Sequence, residues 1–169
     1  MVEPPYSLSY APIGVIHSPL RGPAGAPIQS VSGRSVSGTV EVFPPYARGL
    51  RGLAGFSHLI LIYHFHLADK SSLTVIPFLD NKEHGIFSTR APVRPNPIGT
   101  SIVRLRGVRG RRLYVQDLDV LDGTPLLDIK PYVPRFDSRR AQRIGWYAKR
   151  IGKLNQTRAD NRFTQEDRR

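Results

Sequence analysis

Two runs, Ser101-Ile102-Val103-Arg104-Leu105-Arg106-Gly107 and Leu113-Tyr114-Val115-Gln116-Asp117-Leu118-Asp119-Val120-Leu121, meet across Arg109-Gly110-Arg111-Arg112. Both are rich in β-branched and large apolar residues, and the glycine between them permits a tight reversal, so the spacing predicts a hairpin with a basic tip. Working outward, Ser57 to Leu67 reads as the most apolar strand, and Thr39-Val40-Glu41-Val42-Phe43 alternates as a half-buried one. Tyr10 to His17 and Leu73 to Phe78 add shorter strands, while Leu126 to Lys130 continues extended after the turn Asp122-Gly123-Thr124-Pro125. Many short strands with frequent turn signals predict an all-β fold, a small mixed β-barrel that is closed or partly closed.

Helical signals are few. Tyr46, Leu50 and Leu53 follow Pro44-Pro45 at helical spacing and stop at Gly55. Ser138 to Ile151 carries Ala141, Ile144, Ala148 and Ile151 on one face and predicts a longer helix, followed by a polar tail. Between Leu20 and Gly38, Gly22-Pro23, Gly25, Pro27 and a Ser/Gly-rich run predict a long loop or flap of the kind that often carries function.

The formal net charge is +12 with a pI near 10.7, so a polyanion is the expected partner. Residues 135–169 hold eleven Lys/Arg against four Asp/Glu, more than half of the excess. The longest strongly apolar run, Leu59-Ile60-Leu61-Ile62-Tyr63, is far short of the ~20 residues of a membrane helix. The N-terminus has no basic segment followed by an apolar one, so no secretory signal is read and a cytoplasmic location is expected. Without cysteine there is no disulfide, thiolate nucleophile or thiolate metal site.

Candidate chemistry gathers in a few places. Thr89-Arg90-Ala91-Pro92-Val93-Arg94-Pro95-Asn96-Pro97-Ile98-Gly99 fixes two arginines on stiff backbone, which suits an anionic or planar ligand, although a Pro-rich connection has the same composition. His64 and His66 would share one side of a strand, but further ligands have no source and no metal is expected. Asp117, Asp119 and Asp122 fit no calcium loop, and Asp119 reads as a satisfied structural group. Asp128, Lys130 and Tyr132 alternate, placing an acid, a base and a hydroxyl on one face, or a surface ion pair.

Three motifs in order, Gly55-Phe56-Ser57-His58, Phe87-Ser88-Thr89-Arg90 running into Arg94-Pro95-Asn96-Pro97-Ile98-Gly99, and Leu121-Asp122-Gly123-Thr124-Pro125-Leu126-Leu127-Asp128-Ile129-Lys130-Pro131-Tyr132, resemble the TsaA/YaeB-like family. The resemblance spans roughly Tyr10 to Phe136. It implies a β-barrel that binds S-adenosyl-L-methionine, as a homodimer, with the barrel domain over residues 8–137 and a basic C-terminal helix and flexible tail over 138–169. It also implies cofactor contacts at Pro27, Ile28 and Gln29, at His66 and Leu67, at Arg90, near Thr100, and at Leu121, Asp122, Gly123 and Thr124. By the same resemblance Asp128, Lys130 and Tyr132 are candidates beside the acceptor base; if the ureido N–H must be removed, Asp128 or His66 is the candidate residue type, and the sequence does not choose between them. The implied reaction is methyl transfer to N6 of threonylcarbamoyl-adenosine next to the anticodon of tRNA. The family's bacterial methyltransferases carry a further C-terminal domain where this chain shows only the basic segment. A non-catalytic S-adenosylmethionine-binding module and a basic RNA-binding barrel without a small ligand are the alternatives.

Overall fold

A computed structural model describes residues 7–33, 35–68 and 70–163. Six strands close into a barrel in the order β1 (Gly14–His17), β2 (Ser37–Val42), β7 (Arg112–Gln116), β6 (Ile98–Arg109), β3 (His58–His64) and β8 (Thr124–Pro131), and β8 returns to pair with β1. Every pairing is antiparallel. β4 (Thr74–Val75) and β5 (His84–Gly85) form a separate small ribbon. The expected hairpin is β6–β7, with Gly110 at φ 57° in its turn.

Alternation explains the interior. Along β3, Leu59, Leu61 and Tyr63 point inward and meet Ile16, Val40, Val103, Leu113, Val115 and Leu126 from the other strands. These aliphatic side chains are essentially inaccessible to water, and each such burial is worth about 1.5–3 kcal/mol. Gly99 sits where β6 crosses the Tyr63 ring: a Cβ there would lie 2.3 Å from Tyr63 Cε2 and 2.8 Å from Phe65 Cζ, so only glycine fits.

β8 carries an irregularity that decides which side chains reach the site. Ile62 pairs with Asp128, but the next residue, Tyr63, pairs with Leu126, leaving Leu127 as an extra residue in the ladder. Thr124 and Leu126 are therefore inward and buried, while Asp128 and Lys130 lie opposite the outward Ile62 and Ile60.

The helical expectations change. Tyr46 to Leu53 forms 3-10 turns, Pro44–Leu50 and Leu53–Gly55. The longer helix over Ser138 to Ile151 does not form. After a single α turn, α1 (Pro134–Asp137), the chain runs irregularly to 3-10 turns at Gly145–Lys149 and Ile151–Lys153. Gly145 takes φ 58°, which no right-handed helix tolerates, and the segment is held by other means. Trp146 Nε1 donates to Ser88 O at 2.9 Å, its ring stacks on His84, and Arg150 pairs with Asp80 at 3.0 Å. Of the tail expected over 138–169, residues 164–169 lie outside the described residues. Among the described residues no helix is long and apolar enough to cross a membrane.

Candidate functional site: a cavity at one end of the barrel

At the end of the barrel where β3, β6 and β8 leave the core, a cavity of about 320 Å³ opens. Its floor is the ring of Tyr63, with Phe65 edge-on to it at 5.4 Å. Its polar centre is a chain of hydroxyls ending on a carboxylate. Tyr63 Oη lies 2.9 Å from Ser101 Oγ, and Ser101 Oγ donates to Asp119 Oδ1 at 2.5 Å. Serine has one proton, so with Asp119 ionised Tyr63 is the donor to Ser101. Burial raises the Asp119 pKa to about 6 from an ordinary 3.8, offset in part by hydrogen bonds from Ser101 and the Ser30 backbone and by the charge of Arg90. Burial also pushes the Tyr63 phenol well above its usual range, so it stays a neutral donor.

One wall is the loop Pro27-Ile28-Gln29, all three residues of which line the cavity. Arg90, from the Pro-rich segment opposite, donates from Nη1 to Gln29 Oε1 at 2.7 Å and joins the two walls. The second arginine of that segment behaves differently: Arg94 Nη1 donates to the carbonyls of Thr89 and Ile86, so part of its fork serves its own loop. His66 and Leu67 continue from β3 into the lining, and Thr100 contributes from β6. Burial, then the neighbouring His64, lowers the His66 pKa, so the ring is neutral at pH 7. Thr124 Oγ1 gives its proton to Leu121 O at 2.8 Å and accepts from His66 Nδ1 at 3.3 Å, which leaves Nε2 as the acceptor.

The Asp-Gly turn divides by role. Leu121 and Thr124 line the cavity, whereas Asp122 and Gly123 do not. Asp122 Oδ1 accepts from the Ser18 backbone, its Oδ2 accepts from Arg21, and Gly123, at φ 76°, donates to Ile16 O. The pair clasps the turn to the end of β1 and so sets the height of its neighbours.

Asp128, Lys130 and Tyr132 are not brought to the cavity. The extra residue at Leu127 turns them to the outside of the barrel, where Lys130 Nζ and Asp128 Oδ2 form a 2.7 Å ion pair and Tyr132 packs edge-on to His58. The carboxylate that joins Tyr63 and Ser101 in the cavity is Asp119, read from the sequence as structural. Its signal was a carboxylate between Leu118 and Val120, both buried. Tyr63, Ser101 and Phe163 were also missed.

The family described as tRNA-methyltransferase O N-terminal domain matches residues 15–138, a span that contains β2 to β8 whole and nearly all of β1. The chain belongs to this family. The TsaA/YaeB-like resemblance of the three motifs thus leads to the tRNA-methyltransferase O group. Among curated members, a probable S-adenosyl-L-methionine-binding protein of Pyrococcus abyssi is 54% identical over 159 residues, covering 94% of this chain and 86% of its own. The tRNA (adenine(37)-N6)-methyltransferase of Escherichia coli is 39% identical over 142 residues, covering 78% of this chain and 60% of its own. The solved structure of TrmO from Pseudomonas aeruginosa superposes with a TM-score of 0.70 at 39% identity, over 83% of this chain and 63% of that one. This chain therefore spans less than two thirds of the two bacterial tRNA-methyltransferase O members.

Proposed function

We propose that this protein is an S-adenosylmethionine-dependent tRNA methyltransferase acting on N6 of threonylcarbamoyl-adenosine next to the anticodon. The observation that carries the reading is the cavity itself, which joins the Pro27–Gln29 loop, Arg90, His66 and Thr124 around the half-buried carboxylate of Asp119. The residues present fit the cofactor. A volume of about 320 Å³ falls within the ~300–1,000 Å³ of small-molecule sites. Phe65 and Phe78 offer apolar ring surface, Arg90 a cation for a carboxylate, and neutral His66 an acceptor. Asp119 places negative charge where a sulfonium cation is favoured.

When bound, S-adenosylmethionine supplies an electrophilic methyl group on sulfonium sulfur. The protein's part is alignment and proton removal. Stiff walls joined by Arg90 and Gln29 hold a ligand with little entropy left to lose, and alignment of this kind is worth up to about 7–11 kcal/mol in favourable cases. Asp119, with a pKa near 6, is ionised at pH 7 and basic enough to take the proton that N6 gives up. The net charge of +12 suits an RNA substrate, and unpaired loop bases are those a cavity of this kind can receive.

The test is incubation with S-adenosylmethionine and tRNA, with and without prior threonylcarbamoylation, followed by nucleoside mass spectrometry. A gain of one methyl on the threonylcarbamoyl nucleoside is expected. Saturable cofactor binding without methylation of either tRNA would overturn the catalytic reading in favour of a cofactor-binding module.

A further inference from the structure

Beyond the family domain the chain comes back to the cavity. Residues 155–163 cross its rim and lock onto the loop that Arg90 grips from the other side. Gly25 N donates to Ala159 O at 2.8 Å, Ala159 N donates to Ala26 O at 2.9 Å, and Arg158 bridges to Pro27 in β fashion. The far end is fastened as well. Arg162 Nη1 reaches Pro77 O at 3.2 Å, its guanidinium lies 5.1 Å over the Phe78 ring, and Phe163 meets the same ring edge-on at 4.9 Å. Ala159, Asp160 and Phe163 all line the cavity.

The chemistry of this wall is one-sided. Asp160 directs both carboxylate oxygens to Arg162, so its charge is met within the segment itself. What the segment presents is the Ala159 methyl group and the Phe163 ring beside Phe78, a surface suited to the flat, uncharged part of a nucleoside.

We propose that residues 155–163 form a wall of the cofactor site in cis, with Ala159 fixing the Pro27–Gln29 loop and Phe163 packing against the nucleoside. This rests on the reading of the cavity as the S-adenosylmethionine site. Main-chain pairing removes the freedom of a Gly- and Pro-rich loop before the ligand arrives, which raises affinity by lowering the ordering cost of binding. It also gives a role to sequence outside the family domain.

The experiment uses the full chain as wild type, Ala159→Pro and Phe163→Ala, titrated calorimetrically with S-adenosylhomocysteine, with hydrogen exchange followed over residues 23–29 and β3. Ala159→Pro deletes the donor to Ala26 O; Phe163→Ala deletes only the ring. Both residues lie outside the barrel, and unchanged protection of β3 verifies that each variant is folded. Both variants are expected to bind about tenfold more weakly, the order set by one lost aromatic face or one released loop, and exchange over 23–29 should accelerate in Ala159→Pro. Unchanged affinity in both variants, with the wild type binding, would overturn the wall and leave the cofactor reading standing. No binding by the wild type would overturn both.

Discussion

Ser101 Oγ donates to Asp119 Oδ1 at 2.5 Å, so the carboxylate at the centre of the cavity is fixed by a residue of the barrel wall that is itself buried. Because the Asp119 pKa rises to about 6 from 3.8, the folded chain holds more protons than the unfolded chain between those values. The contribution of Asp119 to stability should therefore fall as pH rises through that window, by up to about 3 kcal/mol, and level off above it. His66, lowered by burial, gives the opposite slope, so the diagnostic is the difference between wild type and Asp119→Asn. Urea denaturation across this range should show the wild type losing stability relative to the asparagine variant as pH rises, with the asparagine variant the more stable at pH 7. Equal slopes would remove Asp119 as a titrating group.

The same group makes a kinetic prediction. Methyl transfer should rise with pH through about 6 in the wild type. Asp119→Asn should lose that rise and fall by roughly 10²–10⁴-fold in rate, the range for a general base, while still binding S-adenosylhomocysteine. A variant with wild-type rate would assign the proton to solvent.

Arg90 and Gln29 tie the two walls at an exposed position, so stability has little stake in them. Arg90→Ala is expected to weaken S-adenosylhomocysteine binding about tenfold or more, the order of a lost charge-assisted contact, with little change in Tm. Calorimetric titration beside a thermal scan distinguishes this from unfolding; unaltered affinity would count against the site.

Gly99→Ala puts a methyl group into the Tyr63 ring. Overpacking of this kind costs about 1–3 kcal/mol, and it would also shift the tyrosine away from Ser101. By contrast, Asp128→Ala should change stability by no more than about 1 kcal/mol and leave cofactor affinity as it was, since it breaks an exposed ion pair. Chemical denaturation and titration of the two variants check both statements, and a large loss of affinity in Asp128→Ala would contradict the outward placement.

Two basic surfaces differ in how far their charge is already met within the fold. On the β6–β7 hairpin, Arg104, Arg111 and Arg112 pair with Asp117 or Glu41, Arg106 binds Gln116, and Arg109 lies over Tyr114. Arg135, Arg139, Arg140 and Arg143 are exposed, and among the described residues none has an acidic partner within ion-pair distance. Replacing these four with serine should lower the slope of log affinity for tRNA against log salt by about 3, at ~0.7 per contact with single-stranded RNA. An unchanged slope would move the RNA to another face.

The barrel was legible because its signals are local: the β6–β7 hairpin shows in alternation and one glycine, and β3 in its apolar run. The Pro27–Gln29 loop, Arg90, His66, Leu67, Thr100 and Thr124 were named through the family motifs and do gather at one cavity. What escaped depends on partners far along the chain. The extra residue at Leu127 exists only in the register between β8 and β3, and no pattern within Asp128 to Tyr132 announces that their parity with Thr124 is broken. Asp119 declares its place only once Ser101 and Tyr63 are beside it. The helical spacing of Ala141 to Ile151 was real, but Gly145 in the left-handed region and the anchoring of Trp146 on Ser88 outweighed it. Phe163 stood alone in a polar tail and gained meaning from Phe78.

The barrel is sealed by Gly14 meeting Leu126, the first strand of the chain against the last. That seam joins residues most of the sequence apart, and such distant pairings make folding slow, on the scale of milliseconds to seconds. During synthesis β1 can pair with β2 early, but its other edge stays bare until β8 has emerged. A chain stalled before Leu126 would therefore present an open strand edge to its neighbours, and the same closure that hides every edge of the finished barrel makes the nascent one prone to aggregate.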